Sequence, residues 1–306
     1  MSMSRLRASL YVLIGASFYG MTGVITKFAY GDGYNASQVA AGQVLFGTLL
    51  LWIFAFRDWK AIRDYPKKKL WILIISGAFP TLTTIVYYIA IERLGPSLAI
   101  ILLFQFTWMG VVVESVRTKQ APSAYKWLSV SVILIGTYFA AGIQIGQLDR
   151  LDLIGFLCGL LAAIGYTGFI FASGSLGLGL PPTLRGAWLN TGSLMLILAL
   201  YSPTVYTDGA LIEGLWKWGL ILGISGAFLP SFLFTKAIPH LGSGVASLLG
   251  SVELPVAILA AALLLQEEVS LFRWSGVVVI LFGIWLAEYK SKSPEKHSSR
   301  KPEPEA

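Results

Sequence analysis

Residues 90–140 fall on residues 237–287 without a gap, at a spacing of 147, and 14 of those 51 positions are identical. The stretch AIERLGPSLA, Ala90 to Ala99, answers AIPHLGSGVA, Ala237 to Ala246. Trp127 answers Trp274, Val130 answers Val277 and Gly136 answers Gly283. Upstream, SGAF occurs at Ser76 and again at Ser225, so a two-residue indel separates the blocks. The chain is one unit used twice, and the number of membrane crossings in that unit decides how its copies sit against each other.

Ten apolar runs, at about 8–28, 36–56, 70–91, 97–116, 124–142, 152–173, 183–202, 215–236, 243–265 and 271–289, take up most of the 306 residues. Each is close to the roughly 20 residues a helix needs to cross a bilayer. The chain is 56% hydrophobic and 13% charged, where a soluble domain carries about 25% charge. The runs are continuous, unlike the alternating segments of a membrane barrel. The expected fold is all-α and integral to the membrane, with ten transmembrane helices in two five-helix repeats, 8–142 and 152–289. Five is odd, so the second repeat must be inverted. Inverted halves are a signature of secondary transporters, whose site lies between the halves near mid-bilayer. The first run, after Arg5 and Arg7, exceeds the ~7–15-residue apolar core of a signal peptide and is taken as a retained span. The tail 290–306 is basic, polar and Pro/Ser-rich, a composition expected to stay disordered on the cytoplasmic side.

Lysine and arginine set the orientation. With the N-terminus inside, 18 of the 23 fall in cytoplasmic segments, leaving Lys27, Arg93, Arg150, Lys217 and Arg273 outside. Both termini are then cytoplasmic, in the cell membrane. Lys126 and Arg273 hold matching repeat positions on opposite sides. The net charge of +7 is spread over loops, so it reports topology and not a nucleic-acid partner. Cys158 stands alone, and His240 and His297 lie at a span end and in the tail. No metal or other cofactor is expected. No Gly-x-Ser-x-Gly, His-Glu-x-x-His or Walker A motif occurs, which leaves an intramembrane enzyme or an ATP-driven pump without support. A channel or scaffold is the alternative to a carrier. The expected partners are a small-molecule substrate and the lipid bilayer.

An ionisable side chain at a helix centre in lipid costs about 2.5–3.5 kcal/mol on insertion scales and persists where it faces a cavity or a partner. Glu253 is the deepest, some ten residues into the ninth run, with Pro255 two residues on. Proline removes a backbone donor and loosens the helix, so the carboxylate and freed carbonyls together suit a proton or cation. Glu253 is the first candidate for coupling and Glu114 the second, although Arg117 at i+3 can pair with Glu114. Lys27 and Lys236 end their spans and can snorkel. Tyr19, Thr22, Tyr88, Gln105, Trp108, Tyr166 and Asn190 are candidates for a substrate cavity, with Gln43 and Tyr87 beside them. The competing roles are interhelical hydrogen bonding for the amides and interfacial anchoring for the rings. Tyr19 and Tyr166 match at the 147 spacing. Pro80 and Pro230 interrupt the third and eighth runs near the paired SGAF blocks, and paired interruptions point to a transporter's site. GxxxG pairs at Gly155/Gly159 and Gly219/Gly223 suit close helix packing within the chain or in a homodimer.

These blocks resemble the EamA domain of the drug/metabolite transporter superfamily over about residues 10–289. The second half carries the best matches: AIPHLGSGVASLL, Glu253-Leu254-Pro255, and LLLQEEVSLFRWSGVVVILFGIWL with Glu267, Gly276 and Gly283. The first half departs, with Phe106, Trp108 and Gln120 where Glu253, Pro255 and Glu267 stand. The resemblance implies ten helices in inverted halves, a central cavity lined by the first, third and fourth helices of each, and export of metabolites or amino acids by alternating access, often driven by protons.

The topology is checked by single cysteines in a Cys158→Ser background. Those at Asp32, Asp149 and Gln266 should react from outside with an impermeant thiol reagent, and those at Lys68, Lys119 and Ser293 should not. Protection of Asp149 together with labelling of Lys119 would overturn the inversion.

Overall fold

In hydrocarbon the backbone has no water to bond, so a continuous apolar run satisfies its own N–H and C=O groups as a helix. The computed structural model describes residues 3–142, 152–201 and 209–290, and among these every regular element is helical. Asp149, Ser293 and the tail from 291 on lie outside the described residues. The helical rods are α1 (Arg5–Gly31), α2 (Ala36–Ala55), α3 (Lys67–Leu94), α4 (Pro96–Thr118), α5 (Ala124–Ala141), α6 (Leu153–Ser175), α7 (Pro182–Leu200), α8 (Leu211–Leu241), α9 (Ser243–Leu264) and α10 (Leu271–Lys290). Nine of them, among the described residues, are long and apolar enough to cross a membrane. The protein is integral to the membrane. The exception is α7, whose 19 residues include Thr183, Arg185, Asn190, Thr191 and Ser193.

Polar contacts sort the rod ends into two faces. At the end holding Arg5 and Glu288 (the termini end), Ser9 Oγ donates to Glu288 at 2.8 Å, Thr183 to Asp58 at 2.8 Å, Arg117 to Ser175, and Lys126 pairs with Glu114 at 2.9 Å. At the far end, Lys27 pairs with Glu267, Arg93 with Asp152 at 2.9 Å, and Trp218 donates to Asp32 at 2.8 Å. Asp152 also caps α6 by accepting the Gly155 N–H, and that bond, with Arg93, holds its carboxyl below the usual carboxylate range. At the α3–α4 and α8–α9 turns, Gly95 and Gly242 take φ of 82° and 86°. Glycine alone adopts such angles at no steric cost, and the two positions are 147 apart.

Four rods are broken, and the breaks in α3 and α8 leave carbonyls that another helix bonds. α3 is interrupted at Gly77, whose carbonyl accepts from Ser193 Oγ of α7 at 2.8 Å. α8 widens into a π turn at Ile224–Phe228, ahead of Pro230. Proline has no N–H for the carbonyl four residues back, and Gln43 Nε2 of α2 supplies one to Gly226 at 3.2 Å. Pro239 likewise orphans Thr235, and Arg185 of α7 fills the gap. Arg185 is 3% exposed, its Nη1 donating to Thr235 at 2.7 Å and its Nε to Leu176 at 2.8 Å, while Nη2 bonds Ser173. The last two carbonyls belong to the C-terminus of α6, where the helix dipole favours a cation. Sequence alone makes Arg185 a loop charge, and its capping role is a structural finding.

The α5–α10 seam runs antiparallel. Arg273 Nε donates to the Ala140 carbonyl at 3.0 Å, Gly136 lies against Ile280, and Gly283 lies against Ile133. Those last two contacts exchange under the 147 spacing. Both GxxxG pairs are taken up within the chain: Gly155 and Gly159 lie on Leu94 and Leu102, and Gly219 and Gly223 lie on Phe46.

Arg185→Met should cost on the order of 3 kcal/mol, since a buried orphan polar group costs about 1–3 kcal/mol. Arg185→Lys should recover part of it, because an ammonium cannot fork to three carbonyls. Thermal unfolding of purified protein checks this; equal melting temperatures for wild type and the Met variant would refute the capping role.

Candidate functional site

The breaks in α4 and α9 fall at matching positions. α4 divides into Pro96–Leu103 and Phe106–Thr118, and α9 into Ser243–Gly250 and Glu253–Leu264, each through a two-residue turn. In α4 the turn is stabilised locally: Gln105 Nε2 donates to the Ile101 carbonyl at 3.0 Å, and Trp108 Nε1 donates to Gln105 Oε1 at 2.9 Å. Glu253 is the first residue of the second α9 segment, where the helix dipole favours an anion. Pro255 sits in that first turn, where an absent N–H disturbs nothing.

Glu253 is half-buried. Its Oε2 accepts the Tyr166 hydroxyl of α6 at 3.0 Å, and its Oε1 accepts no bond from any described residue. Tyr19 of α1 and Tyr87 of α3 lie close enough for its charge to act on their hydroxyls. Tyr19 meets Tyr166, Phe169 and Phe234 at 6.1, 6.1 and 6.0 Å between ring centroids, and Phe106 meets Tyr166 edge-on at 4.6 Å. The 147 spacing organises this centre: it pairs Tyr19 with Tyr166, Thr22 with Phe169, Tyr87 with Phe234, and Phe106 with Glu253. Phe169 and Phe234, which sequence reasoning missed, could have been found by carrying Thr22 and Tyr87 across the repeat.

The two ends of the centre differ. Towards the termini end, Phe106–Thr118 packs closely on Ser243–Gly250, with Gly110 against Ser247, Val111 against Gly244 and the Glu114 carboxylate against Gly242 and Gly244. The matching segments towards the far end, Pro96–Leu103 and Glu253–Leu264, do not pack together. Likewise α6 packs on the Leu229–Leu241 part of α8, whereas its counterpart α1 leaves the Ala78–Leu94 part of α3 apart. The rings follow this split. Phe106, Phe169 and Phe234 are fully buried, while Tyr19, Tyr87, Gln105 and Trp108 are half-buried.

The remaining candidates are dispersed. Tyr88 is exposed near the far end, close to Tyr30. Thr22 Oγ1 turns back onto the Tyr19 carbonyl at 2.6 Å. Asn190 is buried in the α7–α8 seam, donating to Gly186 and Ser231 at 3.0 and 2.8 Å. Pro80 lies three residues beyond the Gly77 break. Glu114 does not pair with Arg117: its partner is Lys126, and Arg117 lies 5.7 Å over the Phe171 ring. Residues at i and i+3 share a helix face only loosely, and here one turns to α5 and α9, the other to α6. Lys27 and Lys236 are occupied by Glu267 and by the Tyr11 ring, 4.9 Å away.

Several known proteins are similar. The uncharacterized transporter sll1319 of Synechocystis sp. is 23% identical over 318 residues, covering 93% of this chain and 94% of that protein. A crystal structure of a protein superposes with a TM-score of 0.72 at 14% identity, covering 95% of this chain and all of the other, which speaks for the fold alone. The EamA-like transporter family matches residues 6–142 and 153–289. Two matches that between them take in every helix, on a membrane-embedded helical fold, mean that the chain belongs to the EamA-like transporter family.

Proposed function

We propose that this membrane transporter is a secondary carrier of ten spans in two inverted halves, exporting a small metabolite by alternating access coupled to protons. The observation that carries this is the asymmetry of α4 against α9: two matching segment pairs, one packed and one parted, with Glu253 where they divide. Exchanging the halves would part the first pair and close the second. α7 counts as the tenth span because Thr183 meets Asp58 at the termini end while Tyr201 comes near Tyr88 at the far end. The antiparallel α5–α10 seam supports the inversion. The positive charges gathered on the termini end support its assignment to the cytoplasm and the protein's to the cell membrane. Export is carried over from the family resemblance. The packed termini end weighs against a channel reading, since a pore needs a path open at both ends at once.

Glu253 is the coupling candidate, since a proton can reach its free oxygen from the parted side. Glu253→Gln keeps the volume and removes the charge. In proteoliposomes it should abolish transport driven by a pH gradient. Wild-type transport indifferent to the gradient would end the coupling claim, and a Gln variant that still responds would move it to Glu114.

Ile100 and Ala257 hold the positions that Ser247 and Gly110 hold in the packed pair. Cysteines there, in a Cys158→Ser background, should cross-link more readily once substrate is cycling, and the cross-link should stop transport. Full transport by the cross-linked protein would refute the exchange of packed pairs.

Tyr88→Ala and Trp108→Ala should each weaken apparent substrate affinity at near-normal folded yield. Unchanged affinity in both would assign these rings to packing.

A further inference from the structure

Building on the carrier assignment, the charges around the site specify the cargo. A substrate carboxylate entering beside Glu253 would need a cation, and among the described residues none acts on it. The Tyr166 hydroxyl on α6 bonds Glu253, and the carboxylate's charge reaches Tyr19 on α1 and Tyr87 on α3. α5 and α10 also pack on this half of α9, and the charges among their described side chains are used elsewhere: Lys126 on Glu114, Arg273 on the Ala140 carbonyl, Glu288 on Ser9. Arg185, Lys27 and Lys236 have the partners described above. One carboxylate oxygen accepts no bond from any described residue, and Tyr19, Tyr87 and Trp108 are the half-buried rings of this centre. Aromatic faces attract a cation within about 6 Å, more strongly once it is desolvated.

We infer that the site takes a monovalent organic cation, an ammonium or quaternary amine carrying an apolar or aromatic body, and not a zwitterionic amino acid or an organic anion. The single charge follows from the broken symmetry. Phe106 occupies the position of Glu253 in the first half, so the site offers one carboxylate for one positive charge. The cation's head sits at Glu253 Oε1 against the tyrosine faces, and its body lies towards Trp108. Protonation of Glu253 removes the attraction, so proton and cargo exclude each other.

The test is calorimetric binding to the purified full-length protein with three probes of similar body and different charge: benzyltrimethylammonium, phenylalanine and phenylacetate. The cation should bind, with heats that depend on the buffer's ionisation enthalpy because a proton is released, and should bind more weakly as pH falls. Phenylalanine and phenylacetate should bind at least about tenfold more weakly, or not at all. Tyr87→Leu should weaken the cation about tenfold, Glu253→Gln should abolish its binding, and Glu92→Gln, on an exposed side chain, should leave it unchanged. Absence of cation binding to wild type, or equal binding of phenylalanine, overturns the assignment without recourse to any variant. Counterflow in proteoliposomes is scored separately. Cation binding without counterflow would preserve the ligand class and remove the carrier; counterflow of another solute with no cation binding would remove the ligand class alone.

Discussion

Every carbonyl freed by a broken helix inside lipid must find a donor, and this constraint shapes the protein more than any apolar contact. A transporter needs broken helices, because only unwound backbone and half-helix ends can face a site within the bilayer. The breaks in α3 and α8 are each met by a side chain from another helix. Gln43 serves Gly226, Ser193 serves Gly77, and Arg185 serves Thr235 together with the end of α6. The donors for α3 and α8 come from the second helix of the opposite half, Ser193 on α7 and Gln43 on α2. The repeats are therefore tied to each other at the points where each is weakest. The ties lie off the α4–α9 seam, so that seam can open at one end while the cross-bonds persist.

Much of this was legible in the sequence, for physical reasons. The membrane fold follows from hydropathy and backbone satisfaction, and the repeat from its 147 spacing. Pro230 announces its break through the missing N–H, whereas Pro255 only marks the first turn after the α9 break. Other features were not legible. The α4 break at Phe104–Gln105 contains no proline or glycine, and it shows only by carrying the α9 break across the repeat. Glu114 has Arg117 nearby in sequence, yet Lys126 arrives from the next helix at 2.9 Å. Arg185 looks like a topology signal until Pro239, 54 residues on, is seen to leave a carbonyl for it. Short-range spacing cannot report a donor and acceptor joined by tertiary packing.

The symmetry of the halves is spent unevenly at the centre. In the second half, Phe169 and Phe234 stand where the first has Thr22 and Tyr87, and both are fully buried. The polar members of these pairs face the parted end, and the apolar members fill the packed end. A site made of identical halves would be equally wet and equally charged from both sides. Here the rings provide an apolar floor under Glu253, and the Tyr166 hydroxyl is its one hydrogen-bond donor among the described residues.

That unevenness bears on how the carrier can turn over. Closing the far end would bring Pro96–Leu103 onto Glu253–Leu264 and bury whatever remains bound at Glu253. A bare carboxylate enclosed this way would face the several-kcal/mol penalty of an unpaired buried ion, reduced but not removed by one tyrosine hydroxyl. In the proposed cycle, closure would be favoured only when the charge is neutralised, by a proton or by a cation of matching valence. The same desolvation penalty would hold back the empty, charged carrier, whose turnover would dissipate the gradient. Coupling of the proposed kind would need no second carboxylate and no dedicated gate residue. It follows from placing one ionisable group where the two packed states of α4 and α9 divide.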